Sequence, residues 1–409
     1  MLDKEQVFFL GGVFLKNYLN IIEKNSKDSI QYAANNLQWS MIEGLDANLC
    51  CPVYILNEMF IGSYPKRYTE KKIDTFKWNH SEDSTDINIG FYNLILYKHL
   101  SRILNGKKII KKIFKKNKKN KILFIYSVNS AFMDILKYLK KRFYFHACLV
   151  VPDLPQYMYL NNKKNFIYTI LKKIEIAHIK KNLKYVDSFV LLTKEMNQEI
   201  NFLNKPYCVI EGMVNICEKK MENEENEKNA KILFYSGTLN ERYGVKNLVD
   251  AFLSLGNCEI KLQICGCGDQ EEYIKRCTAK DKRIEYLGLI PNEKVVLLQK
   301  NAILLVNPRP TKEEFTKYSF PSKNLEYMVS GTPVLTTKLS GIPKEYDNYV
   351  YFIEDESVDG IAKKIQQLLS KPIEELNEKG RSAKEFVLNK KNNILQTKKI
   401  LDMINDDKK

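Results

Sequence analysis

The sequence predicts an α/β protein built from two parallel-sheet domains. Three observations carry that expectation. Short apolar runs alternate with longer amphipathic stretches from end to end, each run closes on a residue that turns the chain, and the series breaks once and restarts. Strand–helix–strand alternation argues for parallel sheets with helices on both faces. Strands buried on both faces read as unbroken runs rather than alternating ones.

Taken in order, VFFLG (7–11), CPVYIL (51–56), KILFIYS (121–127), HACLVVPD (146–153) and SFVLLT (188–193) are the expected strands of the first domain. They are short and rich in β-branched and aromatic residues. Helix-like stretches such as 129–140 and 166–185 lie between them. Residues 218–229, EKKMENEENEKN, are almost wholly charged or amide and read as a solvated loop, with the domain boundary just before it near Glu211. A second strand series follows: ILFYSG (232–237), IKLQICG (260–266), IEYLG (284–288), AILLVN (302–307), TPVLTT (332–337) and YVYFIE (349–354). The tail, 357–404, reads as two or three amphipathic helices, the last expected to pack back across the first domain. The expected division is 1–210, 211–390 and a C-terminal helix within 391–409. Two such domains facing each other place a cleft between the carboxyl edges of two sheets, where open parallel sheets bind ligands.

Composition narrows the function. Hydrophobic residues at 44% and charged residues at 28% support buried cores and exclude a disordered or collagen-like chain. No stretch approaches the roughly 18 uncharged apolar residues of a membrane span, and the N-terminus lacks the pattern of a secretory signal. The nine cysteines include no CxxC pair, so free thiols in a reducing cytoplasm are expected, with Cys265 and Cys267 buried. None of the four histidines has ligand-like spacing and no DxD pair follows an apolar strand, so no metal is expected. The net charge of +16 implies an anionic partner. Only eight of the 65 cations are Arg, which speaks against nucleic acid, whose readers lean on the guanidinium fork.

The most informative segment is FTKYSFPSKNLEYMVSGTPVLTTKLSGIPKE (315–345). Pro321 suits the first turn of a helix. Ser322, Lys323 and Asn324 then bring free N–H groups, the positive end of the helix dipole, a hydroxyl and an ammonium to one place, which is a phosphate site. Glu326, one turn on, can take both hydroxyls of a ribose. The same residues also fit a plain helix start, with Lys323 in solvent and Glu326 in a local ion pair.

The pieces YSGTLNERYGVKNLVDAF (235–252), ICGCGD (264–269), RIEYLGLIP (283–291), NPRP (307–310), SFPSKNLEYMVSGTPVL (319–335) and SGIPKEY (340–346) together resemble the nucleotide-sugar site of GT-B glycosyltransferases. The type is the family 4 one met in bacterial capsule and exopolysaccharide synthesis. The resemblance implies two Rossmann-like domains. It implies that Glu326 binds the donor ribose, that Ser322 and Lys323 cradle the diphosphate, and that Gly237, Thr238, Gly266 and Leu289 line the donor. Two departures stand out. The family often has a second Glu eight residues before the first, where this chain has Tyr318. Its usual Arg and Lys in the first loop fall at Thr238 and Tyr243. The missing phosphate charge is therefore assigned to Lys323 and Arg309, with Arg242 a weaker candidate. Gly237 and Gly266 also fit ordinary strand-to-helix turns.

In the first domain the resemblance assigns Gly12, after the first strand, to backbone approach by donor phosphate and acceptor. A steric turn explains it equally. Asp153 follows a strand at the carboxyl edge and is a candidate for the acceptor hydroxyl or for a helix cap. His146 and His178 are read as structural, and Trp39 as core. KKIIKKIFKKNKKNK (107–121) sets Ile109, Ile110, Ile113 and Phe114 on one face between lysines, the pattern of an interfacial helix on anionic lipid. These residues equally suit a core face with solvated lysines. A second basic-aromatic stretch runs over 161–184.

The expected activity is transfer of a sugar from a nucleoside-diphosphate sugar, a UDP-sugar favoured, to a hydroxyl of a glycan. No separate cofactor is expected. The resemblance implies retention at the anomeric carbon, a polyprenyl-diphosphate-linked acceptor, and a cytoplasmic enzyme held peripherally at the inner face of the plasma membrane. A GT-B-type nucleotide-sugar epimerase and a catalytically silent binding subunit are the alternatives.

Overall fold

The computed structural model describes residues 5–27, 30–157, 166–217, 231–256 and 259–407, with side chains from 169 onward in the helix that opens at Phe166. The expected loop 218–229, Cys258 and residues 161–165 of the second basic stretch lie outside the described residues. The chain divides into two compact units, one of residues 1–210 with 393–409 and one of Glu211–Asn392.

In the first unit the strands are β1 (Glu5–Gly11), β2 (Tyr54–Asn57), β3 (Lys72–Ile73), β4 (Phe76–Trp78), β5 (Asp86–Asn88), β6 (Phe91–Tyr92), β7 (Asn120–Tyr126), β8 (His146–Val151), β9 (Ser188–Leu191) and β10 (Tyr207–Val209). Eight form one sheet in the order β10-β9-β8-β7-β1-β2-β5-β4, and β3 pairs with β6 separately. All pairings in the large sheet are parallel except β4 with β5. The apolar runs are buried on both faces: Phe8, Phe9 and Leu10 of β1 and Ile122 to Ile125 of β7 have no exposed surface. β3 to β6 and β10 are short pieces that carry no such run, so the strand pattern does not announce them.

The helix Ser130–Lys140 is capped by Asn129, whose side chain accepts the Phe132 N–H at 2.9 Å. Of the three tail helices, Val358–Leu369 and Ile373–Lys390 belong to the second unit and only Asn393–Asp406 to the first. It packs on the helix Tyr32–Asn48, where Asn48 donates to the Ile394 carbonyl at 2.8 Å.

In the second unit the strands are β11 (Ile232–Ser236), β12 (Lys261–Cys265), β13 (Ile284–Gly288), β14 (Leu304–Asn307), β15 (Val334–Thr337) and β16 (Tyr351–Ile353). The order β13-β12-β11-β14-β15-β16 is all parallel. Numbered within the unit this is 3-2-1-4-5-6, the order whose direction reverses between the first and fourth strands. The crevice at that reversal opens beyond the carboxyl ends of β11 and β14, at Gly237 and Pro308. The topology alone thus selects the place in this unit where a ligand is expected.

Candidate functional site

The helix Ser322–Ser330 delivers the central side chains to the reversal point. Pro321 is its N-cap, one position earlier than the sequence suggested. The Asn324 N–H is engaged by the Pro321 carbonyl at 2.8 Å. Those of Ser322 and Lys323, at the first two helical positions, have no carbonyl a turn behind them.

Two buried side chains fix where the helix sits. Tyr327 accepts the Ser236 N–H at 2.9 Å and donates to the Ser236 carbonyl at 3.1 Å, which pins the helix to the end of β11. Asn324 accepts from Asn307 at 2.7 Å and donates to Thr336 at 3.2 Å, which ties it to the ends of β14 and β15. With Leu325, Tyr327 and Met328 in the core, Ser322, Lys323 and Glu326 are left on the uncovered side.

Lys323 crosses Gly237. A Cβ placed on Gly237 would stand 3.6 Å from Lys323 Cε and 3.4 Å from the Tyr235 hydroxyl. The Lys323 Nζ meets Glu326 Oε2 at 3.0 Å, with side-chain exposures of 38% and 45%. Burial opposes the ammonium, but the Glu326 carboxylate outweighs it and the Lys323 pKa stands above the ordinary lysine value. The local ion pair foreseen as the alternative is therefore present. The lysine is nonetheless half-buried over the strand end rather than loose in solvent. An exposed pair at this spacing contributes only a few tenths of a kcal/mol, so it holds the ammonium only weakly.

Arg309 follows β14. Its guanidinium lies 5.1 Å from the Tyr243 ring centre and 4.8 Å from that of Phe315, a cation held between two aromatic faces. It stands within electrostatic reach of Tyr235, whose hydroxyl donates to the Thr238 carbonyl at 3.0 Å. Lys323 and Arg309 thus flank the same strand end. Thr238 itself is exposed.

The glycines divide. Gly266, at φ +134°, has no room for a side chain, since a Cβ would meet the Gly237 carbonyl oxygen at 1.8 Å. It serves the close approach of two strand ends, so the turn reading holds for it. Gly237 N–H donates to the Cys265 carbonyl at 3.0 Å and Gly266 N–H to the Gly288 carbonyl at 2.9 Å. These bonds stitch β11, β12 and β13 into one edge. Leu289, just past that edge, is 76% exposed, and an apolar side chain so placed is available to a planar ring. Cys265 is buried and Cys267 half-buried.

In the first unit Gly12 follows β1 under the Phe60 ring, which a Cβ would strike at 2.2 Å. Its N–H donates to Gln38 at 2.8 Å. The steric reading therefore accounts for this glycine, and the space above it belongs to Phe60. Asp153 is exposed just past β8. Burial, and secondarily Asp153, hold the Tyr126 hydroxyl pKa above its usual value. Trp39 is core, with its indole N–H on the Phe14 carbonyl at 3.0 Å. His146 bonds to Ser188 at 2.8 Å and His178 to Asp134 at 2.9 Å, both within the packing of the unit. Among the described residues no group of three His, Cys, Asp or Glu is placed to hold a metal ion.

Of the two readings of 107–121, the core face with solvated lysines accounts for two of the four apolar residues. Ile110 and Phe114 are fully buried, and Phe114 packs on Phe8, Phe143 and Phe145. Ile109 and Ile113 of the same face are only half-buried. No described helix is long and apolar enough to cross a membrane.

Sequence reasoning singled out Lys323, Glu326 and Gly237 but passed over Tyr235 and Tyr327, and it read Asn324 only as a free N–H of the first turn, whereas that N–H is engaged and its side chain helps set the helix in place. The signal was available in helical spacing. Asn324 and Tyr327 lie three apart on the face adjoining Lys323 and Glu326, and polar side chains buried on a core face must find partners.

Residues 217–386, nearly all of the second unit, match the family model described as glycosyl transferases group 1. Over its whole length the chain is similar in fold to a sucrose-phosphate synthase from Thermosynechococcus elongatus, at 14% identity and TM-score 0.66, covering 98% of this chain and 99% of that one. It is similar to a variant of TarM from S. aureus, solved with fondaparinux, α-GlcNAc-glycerol and UDP, at 13% identity and TM-score 0.62, covering 98% and 99%. It is also similar to Anabaena HepE, solved with UDP, at 10% identity and TM-score 0.61, covering 98% and 100%. No curated protein sequence matches the chain. The fold is that of the GT-B glycosyltransferases, and the second unit matches their group 1 domain.

Proposed function

We propose that this protein transfers a sugar from a nucleoside-diphosphate sugar to a hydroxyl of a glycan acceptor. The observation that carries the reading is the Lys323 ammonium held across Gly237 at the sheet's reversal point, with Glu326 beside it. On this reading the diphosphate lies against the start of the helix Ser322–Ser330. The N–H groups of Ser322 and Lys323, the helix dipole and the Lys323 ammonium meet it there. Arg309 supplies the second cation, and Glu326 releases Lys323 to take the ribose hydroxyls. Leu289 and the Gly288 turn receive the base. The solved neighbours that hold UDP support a uridine nucleotide as first choice.

Departure of the sugar leaves negative charge on the terminal phosphate. Fixed cations and helix N–H groups aimed at that charge lower the barrier without needing to reorganise. The released phosphate oxygen can accept the acceptor's proton on the same face, which gives retention and leaves the protein the task of orientation. Asp153 is proposed to orient the acceptor, and a lipid-linked glycan of cell-surface polysaccharide synthesis is the proposed acceptor class. The chain is proposed to act on the cytoplasmic face of the membrane.

Incubation with UDP-, GDP- and dTDP-sugars and a lipid-linked acceptor tests the reading. Glycosylated product is the expected result. An isomerised donor would identify an epimerase instead, and binding without turnover a silent subunit.

A further inference from the structure

A cavity of about 140 Å³ lies in the first unit at the amino-terminal edge of β9 and β10. Open parallel sheets bind their ligands at the carboxyl edge, so this cavity is separate from the place where an acceptor is expected. Its floor is apolar: Phe189 of β9, Ile200 at the end of the helix Glu195–Ile200, and Leu183 in the turn before β9 are all buried.

Its mouth is a built loop. The buried Asn201 side chain accepts the Lys205 N–H at 2.9 Å and donates to the Lys205 carbonyl at 2.8 Å. This closes residues 202–204 into a turn in which Asn204 takes the left-handed conformation, at φ +48°. The turn presents Phe202 and Leu203 to the cavity with 52% and 57% of their surface exposed. The rest of the lining is cationic. Lys180, Lys184 and Lys205 surround the opening, no Asp or Glu lines it, and the Lys180 ammonium stands 5.0 Å from the Phe202 ring centre.

Size and charge together select an occupant. An apolar space of about 150 Å³ takes one benzene ring, and this one is too small for the chain of a lipid. Three ammonium groups with no acid among them call for an anion, and a phosphate offers three strong acceptor oxygens. We propose that the cavity binds a small aromatic phosphate, its ring against Leu183, Phe189 and Ile200 and its phosphate among Lys180, Lys184 and Lys205. This is a second site with its own ligand, and it does not rest on the proposed function.

The test is calorimetric titration of the full chain with phenyl phosphate, phenol and inorganic phosphate. Phenyl phosphate is expected to bind about tenfold or more tighter than either of the others, since phenol lacks the charged hydrogen bonds and inorganic phosphate the buried ring. Changing Lys180, Lys184 and Lys205 together to Ala should weaken phenyl phosphate about tenfold or more. None of the three is buried, so this variant should melt with the wild type. Lys323→Ala should bind phenyl phosphate as the wild type does. Inorganic phosphate or phenol that binds as tightly as phenyl phosphate would overturn the proposal. So would binding that survives the triple change, or that is lost on Lys323→Ala instead, which would put the ligand in the second unit.

Discussion

Glu326 has one partner in the structure and a second on the proposed reading. In the structure it holds Lys323 at 3.0 Å, a contact that an exposed i,i+3 pair maintains only weakly. With nucleotide bound, the carboxylate is expected to accept from the ribose hydroxyls. Glu326→Gln should therefore lower affinity for uridine diphosphate by about tenfold or more, since hydrogen bonds to a charged group contribute roughly 1.5–3 kcal/mol. The same variant should stop distinguishing the nucleotide from its 2′-deoxy form, which calorimetric titration reads directly. Arg309 supplies a second residue-scale expectation. The position where the family resemblance expects a lysine, Tyr243, instead gives a ring for the Arg309 guanidinium. Tyr243→Leu should weaken nucleotide binding by about two- to fivefold, the loss of one half-exposed cation–π contact. An unchanged affinity would show that Arg309 does not depend on the ring or does not serve the nucleotide. The sequence displayed Lys323, Glu326 and Arg309 as charges near turns. It did not show that Tyr243 supports Arg309, because that contact joins residues 66 positions apart through a fold that has first to form.

Elements show what periodicity can and cannot carry. The six strands of the second unit each correspond to an apolar run, since strands buried on both faces admit little else. β3 to β6 escaped notice because two or three residues cannot build a pattern. The element the sequence left open between two readings is the helix Lys98–Lys116. Period alone showed that Ile110 and Phe114 share a face, but not that the face meets Phe8 and Phe145. Another element-scale feature was read only as an unpromising histidine. His80 joins β5 to the helix Tyr32–Asn48, with Nδ1 on Asp86 at 2.7 Å and Nε2 on Asp46 at 2.8 Å. Burial opposes its charge, but the hydrogen bonds and charges of the two carboxylates raise its pKa from 6.5 to about 9. A raised folded-state pKa stabilises fully below the unfolded value of 6.5 and is lost as pH rises through about 9. The contribution is on the order of 3 kcal/mol. Urea unfolding should show the wild type's advantage over His80→Gln shrinking across that window. An advantage independent of pH would show that His80 is not held as an imidazolium.

Across the whole molecule, the chain enters the second unit at Glu211 and leaves it just past Lys391. These two residues form an ion pair, both nearly inaccessible, and the Tyr346 hydroxyl donates to the same Glu211 oxygen at 2.9 Å. Lys391 also reaches Glu345 at 2.6 Å, and its carbonyl accepts the Val214 N–H at 2.8 Å. One cluster thus closes the unit where its two chain connections meet. Lys391→Met would leave Glu211 buried beside a neutral side chain. It should cost about 3–5 kcal/mol of stability, read as a fall in the second unit's urea midpoint. The division into two units was legible from the break in the strand series. This fastening was not, because its members are 180 residues apart.

The account depends on Lys323 as the cation that meets the donor diphosphate. Titrating uridine diphosphate into the wild type and Lys323→Ala by calorimetry tests it most directly. Its ammonium pairs with an exposed carboxylate, a contact that contributes little to stability, so the variant should fold and melt close to the wild type. The account predicts a loss of affinity of about tenfold or more, as for a charged hydrogen bond removed. A Lys323→Ala protein that binds the nucleotide as tightly as the wild type would contradict it.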